Sequence, residues 1–257
     1  MFTTFPLTGF TSAFTCIVSV ASWLYLAGKL KRSSTVARPS LAHMRDFFLY
    51  MAIFGGFMAI PYFWLHISLS AFSTAMAWGY VVGHIFIYLA CLSVALMVCS
   101  LVPRLANMTR IVTIVWVLFI IAITAINAKT MIWGVQPIFD TSLSLTEFRA
   151  SPIVGAGIAA QAMVGLFPAF VLFAIGAAKG SDSRRLKSVL LAAGFLVIIA
   201  GGPMHGLART AGLYATADLL TTLGVLLLGI GIGYQVDTSL VAAPEKPQFK
   251  AAPSNTV

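Results

Sequence analysis

The sequence predicts an all-α integral membrane protein, a seven-transmembrane-helix bundle with its N-terminus outside and its C-terminus in the cytoplasm. Three observations predict it. Of 257 residues, 60% are hydrophobic and 9% charged, with a mean hydropathy of +0.96, whereas a soluble domain is about a quarter charged. Seven apolar runs meet or approach the roughly 20 residues that cross a bilayer. Basic residues then fall unevenly between alternate connections: thirteen Lys and Arg follow the odd-numbered runs, and three, Lys129, Arg149 and Arg209, follow the even-numbered ones. That asymmetry is the positive-inside pattern, and it sets the orientation.

Taken in order, the expected spans are Leu7 to Leu30, Phe47 to Leu69, Ser73 to Val102, Ile111 to Asn127, Pro152 to Ala178, Ser188 to Gly206, and Ala211 to Tyr234. No Lys or Arg precedes Lys29, so the first run lacks the basic segment of a cleaved signal peptide and reads as a retained span. The sixth has the least support, because its continuous apolar part is short before Gly201. Were it a re-entrant hairpin, six spans would remain and the C-terminus would change sides. Residues 1–234 therefore read as the transmembrane domain and 235–257, rich in Pro, Ala and Ser, as a disordered cytoplasmic tail too short to be an output domain.

The longest outer connection, Ala128 to Ser151, carries Trp133, Asp140, Glu147 and Arg149 and reads as an interfacial loop with an anchoring tryptophan, the alternative being a lid over the outer mouth. Trp64 and Trp78 lie near the outer boundary and Trp23 and Trp116 near the inner one, as in aromatic belts. Cys16, Cys91 and Cys99 fall in apolar runs with no metal-binding or redox spacing, so buried free thiols are expected. The net charge of +9 is spread over short connections, which suits topology and contact with anionic headgroups. Nucleic acid is not an expected partner. The lipid bilayer of the cell membrane is, together with a protein partner reached through the cytoplasmic loops or a membrane-embedded surface.

The stretch Gly201 to Asp218 contains the candidate site. Gly201, Gly202 and Pro203 interrupt an apolar run, which predicts a broken helix, and such breaks border binding cavities because lipid cannot satisfy the freed backbone groups. His205, Arg209 and Asp218 follow, the residue types that a membrane segment tolerates least. At 1.5 Å per residue, His66, His84, Asn127, Gln161, His205 and Asp218 all fall roughly 24 to 30 Å above the inner boundary of a hydrocarbon core about 30 Å thick.

Spacing of four residues puts Tyr80, His84 and Tyr88 on one face of the third helix and Tyr214 and Asp218 on one face of the seventh. With Gln161 they form an expected ligand or proton pocket bounded by the third, sixth and seventh helices, His84 being placed at the level of Asp218. His66, His84 and His205 are candidate ligands for copper, zinc or a haem iron, although no HxxxH or HExxH spacing pairs two of them on one helix face. No catalytic residue is expected. Only one carboxylate is deeply placed, no GxSxG elbow is present, and no lysine in the seventh run offers a retinal Schiff base. The functional expectation is a sensor, receptor or accessory subunit with an outward-facing polar pocket. The alternatives are a redox or metal-binding subunit and a proton-coupled transporter.

Overall fold

The computed structural model describes residues 7–33, 39–63, 69–134, 138–140, 145–147, 151–207 and 210–237, and side chains are described at 14–31, 39–59, 74–134, 151–181, 184–205, 210 and 212–233. The described residues form seven α-helices, α1 (Leu7–Ser33), α2 (Pro39–Phe63), α3 (Leu69–Leu101), α4 (Thr109–Ile132), α5 (Pro152–Lys179), α6 (Asp182–Leu207) and α7 (Ala211–Asp237). Segments within five of these elements, Thr74–Leu101, Pro103–Ile132, Pro152–Lys179, Arg184–His205 and Gly212–Gly233, are long and apolar enough to cross a membrane. The chain is an α-helical, multi-pass membrane protein.

A 3-10 turn, Pro103–Met108, joins α3 to α4. The connection from α4 to α5 holds a small antiparallel hairpin, β1 (Ile138–Asp140) with β2 (Leu145–Glu147), in which Phe139 faces Thr146. Before α5, the hydroxyl of Ser151 accepts from Val154 N, and Pro152 occupies the first turn, where its missing N–H costs nothing.

Six helices close into a ring in the order α1, α2, α3, α5, α6, α7, with α7 back against α1, while α4 stands outside and packs mainly on α3. Phe47 and Phe48 of α2, Tyr88 of α3, Phe195 of α6 and Leu228 of α7 fill its interior. The Phe47 and Phe195 rings lie 6.0 Å apart, and Phe173 stacks on Phe195 at the same distance. Most outward faces of α4 and α5 are apolar and exposed, as at Ile111, Val115, Leu118, Ile121 and Val164. Such a surface suits acyl chains.

Lipid is as apolar as leucine, so helices here associate through close packing more than through transfer out of water. The α6–α7 pair displays this most directly. On α6, a Cβ at Gly194 or Gly201 would land 2.8 Å from Leu228 or 3.0 Å from Thr221; on α7, one at Gly224 or Gly231 would land 2.6 Å from Ile198 or 3.0 Å from Leu191. A glycine every seven residues on both helices keeps the two backbones together along an antiparallel seam.

That seam corrects the expected helix break. α6 runs through Gly201, Gly202 and Pro203 to Leu207, so the sixth run is a full helix and not a re-entrant hairpin. Pro203 removes one backbone donor, and glycine neighbours without Cβ atoms leave the backbone room to accommodate its ring; the packing of Gly201 on Thr221 continues across the site. The inner tryptophans also differ from the belt expectation. Trp23 and Trp116 are buried, and Trp116 Nε1 donates to Tyr88 O across α3 and α4, whereas Trp78 and Trp133 are exposed. His66, Trp64 and Arg209, and the tail beyond residue 237, lie outside the described residues.

Candidate functional site

Asp218 lies two turns into α7, and His205 lies in the last turn of α6. Seven residues separate Gly194 from Gly201 on one side of the seam and Thr221 from Leu228 on the other, and the next step outward brings His205 opposite Asp218. Their side chains meet at 2.9 Å, between Nε2 and Oδ1. The carboxylate is the deeper member, 9% exposed against 38% for the imidazole.

The other ring nitrogen fixes the chemistry. Gly201 O lies 3.1 Å from His205 Nδ1, and a carbonyl only accepts, so Nδ1–H donates to it. A proton between Nε2 and Oδ1, on either atom, completes the contact as a hydrogen bond.

Tyr80, His84 and Tyr88 do line one face of α3, but they form a separate group. His84 Nδ1–H donates to Tyr80 O at 2.7 Å, its ring lies 3.9 Å from that of Tyr80, and Phe54 of α2 meets it edge-on at 5.5 Å. No close packing joins α3 to α7, which stand on opposite sides of the ring, so His205 and not His84 is the partner of Asp218. Tyr214 is half-buried one turn from Asp218.

Gln161 of α5 and Asn127 of α4 are buried, and neither side-chain amide finds a hydrogen-bond partner among the described residues; nor does the Tyr88 hydroxyl. Gly165 packs on the Cys91 backbone, so one turn earlier on these parallel helices Gln161 comes to the level of Tyr88. Gly157 packs on Ile123, which puts Gln161 one turn to one side of that contact and Asn127 one turn to the other. The two amides are therefore about 12 Å apart in depth. The single polar layer expected from counting residues is spread out, because the count started every helix at one plane and the helices are 24 to 33 residues long with unequal overhangs.

His84 and His205 have separate partners on separate helices, and among the described residues no three His, Cys, Asp or Glu side chains converge as metal ligands. The cysteines are free thiols, Cys91 and Cys99 buried and Cys16 half-buried. Sequence reasoning set His84, not His205, at the level of Asp218 and so missed this pairing. The readable signal was the glycine spacing of seven on two consecutive helices, which fixes their register.

It also passed over His43, which lies in α2 just before the apolar run begins at Phe47. Burial pushes its pKa below the usual histidine value, and the nearby Asp46 carboxylate opposes that shift. Asp46 is itself paired, its Oδ1 accepting from Arg45 at 2.6 Å.

Compared with protein-family models, curated proteins and solved structures, the chain matches none.

Proposed function

We propose that the chain is a non-enzymatic sensor or accessory subunit of the plasma membrane that spans the bilayer seven times, N-terminus outside and C-terminus in the cytoplasm. Its working site is the His205–Asp218 pair at the outer end of α6 and α7. The observation that carries this reading is the 2.9 Å contact between a buried carboxylate and an imidazole whose other nitrogen is already committed. An ionisable pair inside a membrane bundle is costly to assemble, and it can hold, pass or sense a proton without leaving either group unsatisfied.

The same commitments disfavour a metal-binding role. With Nδ1 donating to Gly201 and Nε2 facing Asp218, His205 has no lone pair left for a metal unless the pair is broken. Any signal must pass to a partner through the cytoplasmic loops or the lipid-facing surface. The basic stretch Lys179 to Lys187 is the leading cytoplasmic contact.

In-cell cross-linking of the wild type and of Asp218→Asn, followed by purification in mild detergent, tests the reading. A stoichiometric complex with a second protein whose yield changes in the variant is the expected result. A chain that stays a lone monomer in both cells and detergent contradicts it.

A further inference from the structure

A cavity of about 300 Å³ lies between the N-terminal halves of α1 and α7. Phe14, Thr15 and Val18 form its α1 wall, and Asp218, Leu219 and Thr222 its α7 wall. These two helices run parallel. Toward their other end a Cβ at Gly229 would sit 3.5 Å from Leu26, in ordinary contact, and among the described residues no glycine of α7 meets α1 at the level of Asp218. Gaps form where side chains on both helices hold the backbones apart.

The rim is apolar and faces outward, with Phe14 59% and Leu219 70% exposed. On a chain whose outward faces are apolar, that exposure is to acyl chains, so the cavity opens sideways into lipid. Its volume is at the small end of ligand pockets, about 300 to 1,000 Å³. It suits a head and the first part of a chain.

We propose that this cavity binds a neutral, hydroxyl-bearing amphiphile that enters from the bilayer, with its hydroxyl at Asp218 and its chain along Phe14 and Leu219. The proposal rests on the reading of the His205–Asp218 pair as the working site, and it names the class of ligand. Charge selects the head. An anionic head would meet the carboxylate oxygens, and a cationic head would give up its hydration for an apolar groove in which the one carboxylate of the lining, Asp218, already faces His205. A hydroxyl donates and accepts, so it fits both proton arrangements, and the hydroxyls of Thr15 and Thr222 offer the same two-way bonding.

The test uses the full chain in phosphatidylcholine nanodiscs with three photoreactive diazirine probes of equal chain length: a long-chain alcohol, the corresponding trimethylammonium and the corresponding carboxylate. Labelled peptides are mapped by mass spectrometry. The alcohol is expected to label 14–18 and 215–222 in preference to the other two probes and to the exposed faces of α4 and α5. Ala215→Phe, which fills the cavity from its α7 wall, and Asp218→Ala, which removes the hydrogen-bonding group, are each expected to lower that labelling, the latter by about tenfold if one hydrogen bond is lost.

Even labelling of all lipid-facing helices, stronger labelling by a charged probe, or labelling unchanged in Ala215→Phe overturns the proposal. If the walls stay unlabelled while the partner complex still responds to Asp218→Asn, the ligand class is wrong and the proposed function stands. If neither occurs, both fail.

Discussion

Asp218 and His205 form a pair in which removing either member leaves a different orphan. Asparagine at 218 can donate from its amide to Nε2 while Nδ1–H still donates to Gly201, so Asp218→Asn keeps the contact and loses only the titratable group. Its melting temperature in detergent is expected within a few degrees of the wild type, with the complex or ligand response altered; loss of expression would mark Asp218 as a packing residue. Asp218→Ala strands the imidazole nitrogen, at a cost of about 1 to 3 kcal/mol. His205→Ala is expected to be worse, because the carboxylate it strands is the more buried member. Thermal unfolding of the two alanine variants and their double mutant checks that order. Equal, additive effects would show that the two groups do not act together. The sequence made Asp218 conspicuous, as a lone carboxylate in an apolar run, but not its partner: residue type and depth narrowed the choice to several histidines, and only the rotation of α6 about its axis decides among them.

Helix by helix, apolar length located the elements well, and the misreading came where composition was asked to predict a break. Gly201, Gly202 and Pro203 look like punctuation, yet Gly201 is a packing position and the helix continues through all three. Two glycines of this hairpin are expected to respond in opposite ways. Gly224→Ala pushes a Cβ to 2.6 Å from Ile198 and should destabilise the bundle by about 1 to 3 kcal/mol, whereas Gly202→Ala meets open space and should be neutral or slightly stabilising. Thermal unfolding of the two variants in the same detergent makes the comparison, and equal effects would contradict the seam.

At the other end of the bundle, α2 carries a pH-sensitive element. Burial lowers the pKa of His43 in the folded protein, so below about 6.5, the ordinary value, the unfolded chain binds the proton more readily. Stability is then fully present above that pH and is lost as pH falls through the window beneath it. Melting temperature should drop on acidification from pH 7.5 to 5, and His43→Gln should flatten part of that slope. A slope identical in the variant would assign it to other groups.

For the whole molecule, the ring order separates two polar groups that a linear count had merged. α3 carries Tyr80, His84 and Tyr88 on one side, and α6 and α7 carry His205 and Asp218 on the other, with the aromatic core around Phe47 and Phe195 filling the interior. Apolar run lengths foretold seven helices, but nothing in them foretold that α4 would stand outside a six-helix ring or that α7 would close on α1. Those facts depend on which faces interlock. The proposed function depends in turn on which end of this ring faces outward, since a sensor of the outer face needs its pair there. Gly212, exposed in the first turn of α7 with open space around its α-carbon, offers a reporter near the pair. The decisive measurement is labelling of Gly212→Cys by a membrane-impermeant maleimide in intact cells, with the native cysteines as the background control. Labelling without permeabilisation is the expected result; labelling only after permeabilisation would put the His205–Asp218 end of the bundle in the cytoplasm and contradict the proposed orientation and function together.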